Sequence, residues 1–158
     1  MTRQDDPFVS YPLGPALDFL QRLWQLNHAL EKVSSGMEKR LGVTAQQRLI
    51  LRCVGKYPGM TAGQLATLLH VDPGTVSASL SRLERKGLLE RRRDPRDKRR
   101  ASLGLTAKGR ALDRPAAGTV ERAVERLLGS VPTDELQTMT SVVAQLTRLL
   151  GEELTAVG

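Results

Sequence analysis

The chain of 158 residues has few aromatic side chains and only one cysteine. Aromatic residues make up 3% of it, which disfavours the stacking platforms that bind single-stranded nucleic acids. One cysteine excludes a disulfide framework and a cysteine-based metal cluster. No apolar run approaches the roughly 18 residues that a membrane span needs, and the first residues, MTRQDDP, lack the apolar core of a secretory signal. These absences predict a soluble, cytoplasmic protein without membrane partners, whose core consists of Leu, Val and Ala.

The positive charge of the chain is concentrated in residues 82–110. This segment holds twelve Lys or Arg and four Asp or Glu, whereas the rest of the chain holds twelve basic and thirteen acidic residues. The segment therefore carries a net charge of +8 and the rest of the chain −1, which together give the formal net charge of +7. A concentrated basic patch suits a polyanion, because each Lys or Arg that neutralises a phosphate releases a condensed counterion.

Apolar periodicity and capping signals predict three helices in the first half of the chain. Residues 1–14 are expected to form an irregular arm. From Pro15 apolar residues recur at helical spacing and predict a helix of about 25 residues, which Gly42 ends. Thr44 and Thr61 each precede a glutamine by three residues, the capping-box spacing, and each predicts the start of a shorter helix.

A helix-turn-helix arrangement is predicted in residues 61–86. The third helix ends near Leu69, and a short turn leads to Asp72, an expected N-cap with Pro73 at the first helical position. Gly87 is expected to end this fourth helix in the left-handed conformation.

A basic β-hairpin, or wing, is predicted after the fourth helix. Two short strands flank the turn at Asp94 and Pro95, and Leu103 and Leu105 alternate with small or polar neighbours. Thr106 is the expected N-cap of a further helix that Pro115 must kink or break. Helical pattern resumes at 120–128, and a last helix with an apolar stripe is expected to begin with Thr133 as its N-cap. The predicted fold class is mainly α with a small β-wing, a winged helix-turn-helix with long terminal helices.

The fourth helix combines an apolar face with a small, polar one. Val76, Leu80 and Leu83 lie at i, i+4 and i+7 and are expected to point inward. On the opposite face, small side chains allow close approach to a major groove about 12 Å wide, and Ser, Thr and Arg can contact bases or phosphates. The residues predicted to contact DNA, here called the outer face, are Pro73, Gly74, Thr75, Ser77, Ala78, Ser81, Arg82 and Arg85. The alternative is an ordinary solvated helix face.

The hairpin carries seven Lys or Arg between residues 91 and 100. Such a run is also compatible with a merely solvated surface. Asp97 lies two residues before Arg99, and a carboxylate there can orient a guanidinium at the wing tip, where it could enter a minor groove. The wing residues predicted to contact DNA are Arg93, Arg96, Asp97, Lys98, Arg99 and Arg100.

Three motifs stand close together in residues 82–109. They are R-L-E-x-K-G-L before the wing, D-P-x-D-[KR]-R at its tip and L-x-L-T-x-x-G after it. With these motifs the chain resembles the MarR family of winged helix-turn-helix regulators. The helix order over about residues 15–155 also fits, whereas the first 40 and last 45 residues match in pattern only.

The resemblance implies a homodimer in which terminal helices of both subunits interlock. It implies a recognition helix at 73–86, a wing at 88–105 and Arg99 as the residue that enters the minor groove. It often implies a small-molecule effector pocket between the dimer helices and the DNA-binding lobe, near Trp24 and His28, for which simple packing is the alternative.

The expected organisation has three parts: an arm with a dimerisation helix at 1–42, a winged helix-turn-helix lobe at 43–107 and dimerisation helices at 108–158. The residues support a dimer independently, because a lobe of about 60 residues cannot cover the apolar stripes of both terminal helices. Cys53 is interpreted as a buried structural cysteine, with redox sensing as the alternative, and His70 as a cap at the end of the third helix.

No catalytic or cofactor motif appears in the chain. No serine stands in a nucleophile elbow, no glycine motif cradles a phosphate, and two histidines with one cysteine do not make a zinc site. The sequence therefore predicts a non-enzymatic, dimeric, sequence-specific regulator of transcription that binds double-stranded DNA, most simply a repressor. A non-specific architectural DNA-binding protein and a winged protein-interaction module remain the alternatives.

Overall fold

A computed structural model describes residues 13–93, 95 and 101–156 of the chain. The described residues form seven helices and one two-stranded antiparallel sheet. In chain order these are α1 (Pro15–Leu41), α2 (Ala45–Lys56), α3 (Ala62–Leu69), α4 (Pro73–Arg85), β1 (Leu89–Arg93), β2 (Ala101–Leu105), α5 (Ala107–Leu112), α6 (Val120–Leu128) and α7 (Thr133–Ala156). The predicted fold class is confirmed. The described residues fall into two compact units, divided between Thr119 and Val120.

The capping signals determine where the helices of the first unit begin. Thr44 and Thr61 each accept a hydrogen bond from the backbone N–H of the glutamine three residues on, at 3.2 Å in both cases. Both glutamine side chains return a hydrogen bond to the backbone of the cap, so both predicted capping boxes are formed. Asp72 and Thr106 cap α4 and α5, as predicted, each through a side-chain oxygen that accepts from the N–H three residues on.

The predicted cap of the last helix is wrong by one residue. The backbone N–H of Leu136 donates to the carbonyl of Pro132 at 3.0 Å, so the helical hydrogen bonds of α7 begin at Pro132. Thr133 is therefore the first helical residue and not the N-cap. Proline fits this position because a missing N–H costs nothing where no helical partner exists.

The ends of α3 and α4 bracket the turn and the start of the hairpin. His70 has a φ of 51°, the left-handed conformation, and its N–H donates to Thr67 while that of Val71 donates to Ala66. His70 therefore caps α3 as predicted, but through its backbone conformation rather than through its charge. Gly87, with a φ of 68°, ends α4 by the same geometry at the predicted position.

The core lies between α2, α3, α4 and the hairpin, which together with α5 are called the winged lobe. It contains aliphatic and methionine side chains, as the scarcity of aromatics predicted. Its buried members are Val43, Ile50, Leu51, Val54, Met60, Leu65, Ala66, Val76, Leu80, Leu83, Leu88, Leu89, Leu103 and Leu105. Cys53 packs against this core but is half-buried rather than buried, which corrects the sequence interpretation.

The base of the wing is attached to the rest of the winged lobe. In the hairpin Leu89 pairs with Leu105 and Arg93 with Ala101. The N–H of Leu103 donates to the Met60 carbonyl at 2.7 Å, which joins β2 to the loop before α3. A Cβ on Gly109 would lie 1.9 Å from the Leu88 carbonyl oxygen, so glycine is required for α5 to pack against the start of the hairpin.

Both units expose large apolar side chains. In α1 these include Leu17, Leu20, Trp24 and Leu30, although Met37 of the same predicted stripe is fully buried. None of the residues of α6 or α7 is buried, and their exposed side chains include Val124, Leu127, Met139, Val143 and Leu150. Among the helices that the structure describes, none has the length and apolar character to cross a membrane.

Candidate nucleic-acid interface

The two faces of α4 are arranged as its sequence predicts. The side chains of Val76, Leu80 and Leu83 are buried in the core, with exposed fractions of at most 2%. All eight residues of the outer face are exposed. Ser79, which the sequence analysis did not single out, is 5% exposed and lies on the buried side. The helix therefore presents one small, polar surface with two arginines towards its C-terminal end.

Thr75 is held by the cap of its own helix. The Asp72 carboxylate accepts a hydrogen bond from the Thr75 backbone N–H at 2.9 Å, and its second oxygen accepts one from the Thr75 hydroxyl. The hydroxyl bond and the backbone bond, in that order, lower the pKa of Asp72 below its ordinary value. Because the Thr75 proton is committed, its hydroxyl faces solvent as a hydrogen-bond acceptor.

The two outer-face serines differ in what their hydroxyls contact. The hydroxyl of Ser81 donates to the Ser77 carbonyl at 3.0 Å, one turn earlier in the helix. Within the residues that the structure describes, the Ser77 hydroxyl makes no such bond. Ser77 thus has both its proton and its lone pairs available for an external partner.

Arg82 and Arg85 supply the positive charge of the outer face. The Nε of Arg85 lies 3.4 Å from the Ser81 carbonyl, a long hydrogen bond that leaves the remaining guanidinium donors exposed. Arg82 makes no side-chain hydrogen bond or ion pair inside the described part of the chain. A guanidinium of this kind can form a bidentate contact with guanine or with phosphate.

Other basic residues of the patch hold the winged lobe together, a division that the sequence did not reveal. Lys86 donates through Nζ to the Gly42 carbonyl at 2.8 Å and to Oε1 of Gln47 at 2.9 Å. Arg110 donates to the Leu105 carbonyl at 2.8 Å, and Lys108 to the Lys86 carbonyl at 3.2 Å. These three cations therefore join neighbouring elements of the chain.

Two arginines of β1 are paired with acids. Arg91 forms an ion pair with Glu84 of α4 at 3.1 Å, and Arg92 donates through Nε to Glu90 at 2.9 Å. The first pair joins the wing to α4. Both pairs are partly or largely exposed, so their net contribution to stability is small.

The wing tip lies outside the described residues. Arg93, at the end of β1, is described and exposed. Arg96, Asp97, Lys98, Arg99 and Arg100 are not described, so the proposed orientation of Arg99 by Asp97 stays a prediction. The hairpin begins at Leu89, shortly after α4 ends at Arg85, and the three arginines of β1 are exposed.

Trp24 and His28, the residues predicted to lie near an effector, share an open surface of α1. They line a shallow depression together with Leu13, Leu17, Leu20, Gln21 and Gln25. The Trp24 side chain is 65% exposed. Within the chain described here this depression is a helix surface and not an enclosed pocket.

Cys53 is the one thiol in the sequence, and its surroundings disfavour the thiolate. Burial raises its pKa, and the ammonium of Lys56 opposes that shift more weakly. In the part of the chain that the structure describes, no three His, Cys, Asp or Glu side chains lie close enough to hold a metal ion.

The helix α4 has a small polar outer face, follows a helix and a tight turn, and precedes a basic hairpin. This arrangement defines a winged helix-turn-helix protein. Residues 43–101 match the family model of the MarR family. The chain is 32% identical over 120 residues to the Homoprotocatechuate degradative operon repressor of Escherichia coli, and this match covers 76% of each chain. The chain therefore belongs to the MarR family of transcriptional regulators.

Two further comparisons agree with this assignment. The HTH-type transcriptional regulator BilQ of Clostridium symbiosum is 31% identical over 93 residues, which cover 59% of this chain and 65% of that relative. The crystal structure of Streptococcus pneumoniae FabT in complex with DNA is similar with a TM-score of 0.64 and 27% identity. That similarity covers 87% of this chain and 99% of FabT.

Proposed function

We propose that the protein is a sequence-specific regulator of transcription that binds double-stranded DNA as a homodimer and acts as a repressor. The observation that carries this proposal is the outer face of α4, where exposed Ser77, Arg82 and Arg85 follow a capped helix start. The FabT structure contains DNA, and the E. coli relative is named as a repressor of an operon. These likenesses support DNA binding and repression.

The outer face would read DNA through three kinds of contact. Gly74 and Ala78 let the backbone of α4 approach the groove, because neither carries a side chain beyond Cβ. The Ser77 hydroxyl, without a bond inside its helix, would contact a base edge or phosphate. Arg82 and Arg85 would reach guanine or the phosphate backbone. Pro73, Thr75 and Ser81 complete the surface at the helix start and along its middle.

The wing would add contacts beside the recognition helix. Arg93, which pairs with Ala101 at the end of β1, would supply one of these contacts. For the tip residues the proposal rests on the sequence: Arg99 would enter a minor groove, oriented by Asp97, while Arg96, Lys98 and Arg100 would neutralise phosphates.

The exposed apolar side chains of α1, α6 and α7 support the homodimer. Large contiguous apolar surfaces on a soluble protein normally mark an interface. A two-fold dimer would present two copies of α4 to half-sites about one turn, ~34 Å, apart, so the operator would be near-palindromic. In this proposal residues 1–42 and 108–158 supply the dimer contacts and residues 43–107 the DNA-binding lobe.

A small-molecule effector would act by binding one dimer conformation better than the other. Trp24 and His28 remain the candidate contacts, since they lie side by side on an exposed helix that a second subunit would cover. No cofactor enters the proposal, because the contacts above use side chains and backbone only.

Selection of binding sites from random-sequence duplexes tests the proposal. We expect an enriched near-palindrome whose half-sites are about one helical turn apart. Enrichment of no sequence, with tight binding to all duplexes, would favour the architectural alternative. Failure to bind any duplex would favour a protein-interaction module.

A further inference from the structure

Three arginines of α1 and α2 converge on a single segment of main chain, residues 112–118, here called the exit segment. Arg40, near the end of α1, donates through Nη2 to the Ala117 carbonyl at 2.8 Å and to the Gly118 carbonyl at 2.9 Å. Gly118 has a φ of 67°, and a Cβ there would lie 2.6 Å from the Arg40 guanidinium. Glycine thus provides both the conformation and the space for this contact.

The two arginines of α2 bind the first half of the exit segment. Arg48 donates to the Leu112 carbonyl and, at 2.7 Å, to the Arg114 carbonyl. Arg52 donates to the Asp113 carbonyl and forms an ion pair with its carboxylate at 3.0 Å. Both arginines therefore hold the backbone at the end of α5 and directly after it.

Arg48 is the least expected of the three, because its side chain is only 1% exposed. A guanidinium is removed from water at a large free-energy cost unless hydrogen bonds satisfy its donors. The carbonyls of Leu112 and Arg114 lie where α5 ends, and Pro115 prevents the helix from continuing. The guanidinium donors and these carbonyl oxygens satisfy one another. The contact therefore holds the backbone of the exit segment in position.

The recognition helix is tied to the same corner of the winged lobe. Lys86, the residue at the end of α4, donates to the carbonyl of Gly42, two residues after Arg40. Two charged side chains thus make contacts at the end of α1. Lys86 of α4 binds a carbonyl there, and Arg40 of α1 binds carbonyls of the exit segment. The end of α1 therefore has fixed contacts with both the recognition helix and the chain that leaves the lobe.

We propose that Arg40, Arg48 and Arg52 are positioning residues for operator recognition: they fix the path of the exit segment, and thereby set the half-site spacing that a dimer accepts. This inference rests on the proposed function. In the proposed function none of the three arginines is needed to contact DNA, because their guanidinium groups donate to carbonyls of their own chain. A dimer whose exit segments were loose would present its two recognition helices at variable separations.

The test compares spacing preference with half-site affinity. The double variant Arg40→Ala/Arg52→Ala removes the two partly exposed contacts and leaves the buried Arg48 in place, so that the lobe stays folded. Lys39→Ala is the control, since it removes a positive charge beside Arg40 on an exposed residue whose side chain makes no hydrogen bond or ion pair with the described residues of the exit segment. Each protein is titrated with single half-sites, with the selected operator, and with operators whose half-sites are shifted by about one or two base pairs.

We expect single half-site affinity to change by less than about twofold in the double variant, as for surface substitutions away from a contact. The preference for the selected spacing should fall by about tenfold, the order of change for a lost charge-assisted hydrogen bond. Lys39→Ala should match the wild type. Wild-type spacing preference in the double variant would overturn the inference, as would an equal loss at single half-sites. A wild type without any spacing preference would instead overturn the proposed function, and this inference with it.

Discussion

The carboxylate of Asp72 accepts hydrogen bonds from both the backbone N–H and the hydroxyl of Thr75, so one group caps α4 and orients an outer-face side chain. The carboxylate oxygen and the backbone nitrogen are 2.9 Å apart. Since the hydroxyl proton points to Asp72, Thr75 can offer an external partner an acceptor but not this donor. The cap therefore determines which hydrogen-bonding groups α4 presents as well as where the helix begins.

The cap predicts a specific pH dependence of stability. The pKa of Asp72 is lowered from its ordinary value of 3.8 by the Thr75 bonds. The ionised carboxylate therefore contributes stability that is fully present above the unfolded value and lost as the pH falls through the lowered pKa. Asp72→Asn keeps an acceptor oxygen but does not titrate. The free energy of unfolding of both proteins is measured with urea between about pH 3 and pH 6. We expect the wild-type value minus the variant value to be constant at the upper end and to fall below about pH 4. A constant difference throughout would contradict this account.

The two outer-face serines should respond differently to the same substitution. Ser77→Ala should weaken operator binding by about fivefold, the effect of roughly one neutral hydrogen bond. Ser81→Ala should have a smaller effect, because its proton is already donated to the Ser77 carbonyl. Fluorescence anisotropy with the selected operator measures both. Equal losses, or a larger loss for Ser81→Ala, would show that the internal bond does not decide the contact.

Two cations of the basic patch should separate binding from stability. Arg82→Ala should reduce the slope of log affinity against log salt by about 1 and leave unfolding unchanged, as expected for a phosphate contact. Lys86→Met removes the same charge, but it leaves the Gly42 carbonyl and the Gln47 side chain without this donor. It should therefore lower the free energy of unfolding by about 1 to 3 kcal/mol with little change in the salt slope. If Arg82→Ala instead lowered the free energy of unfolding and Lys86→Met reduced the salt slope, Lys86 would be the DNA contact and Arg82 the structural residue.

Arg99→Ala tests the wing. If its guanidinium enters the minor groove, operator affinity should fall by roughly tenfold, a typical loss for one specific base contact. The dimer should remain intact by sedimentation, because Arg99 lies outside residues 1–42 and 108–158, which are proposed to supply the dimer contacts. Unchanged affinity would remove Arg99 from the interface.

The close approach of α5 to the hairpin makes Gly109 sensitive to a single methyl group. A Cβ would lie 1.9 Å from the Leu88 carbonyl oxygen, and backbone must move to accept it. We expect Gly109→Ala to lower the free energy of unfolding by about 3 kcal/mol or more, at the upper end of overpacking effects. Gly63→Ala in α3 is the control: the nearest atom to its Cβ is 3.9 Å away, and it should stabilise the helix by up to about 1 kcal/mol. Similar effects at both glycines would contradict the packing account.

Features set by local chemistry could be predicted from the sequence. The starts of α2, α3 and α4 follow from Thr44, Thr61 and Asp72, because a cap depends on residues only three positions away. The inner and outer faces of α4 follow from helical periodicity. Such signals can be wrong by one residue, because Pro132 and not the neighbouring Thr133 takes the cap position of α7.

Features that depend on which elements meet in space could not be predicted. Lys86 belongs to a basic run that reads as a DNA-binding surface, yet its ammonium binds the end of α1. Arg48 reads as a polar position of an amphipathic helix, yet it is buried against the exit segment. Neither role leaves a pattern in the sequence, because each cation binds a main-chain carbonyl far along the chain.

Competition at physiological ionic strength tests the central claim most directly. The wild-type protein is bound to its selected operator at about 0.15 M salt, and an excess of random duplex is added while anisotropy and stoichiometry are followed. A sequence-specific dimer predicts binding that survives the competitor, with two chains on each operator. Displacement in proportion to the mass of random duplex, or saturation at one chain for each operator, would contradict it.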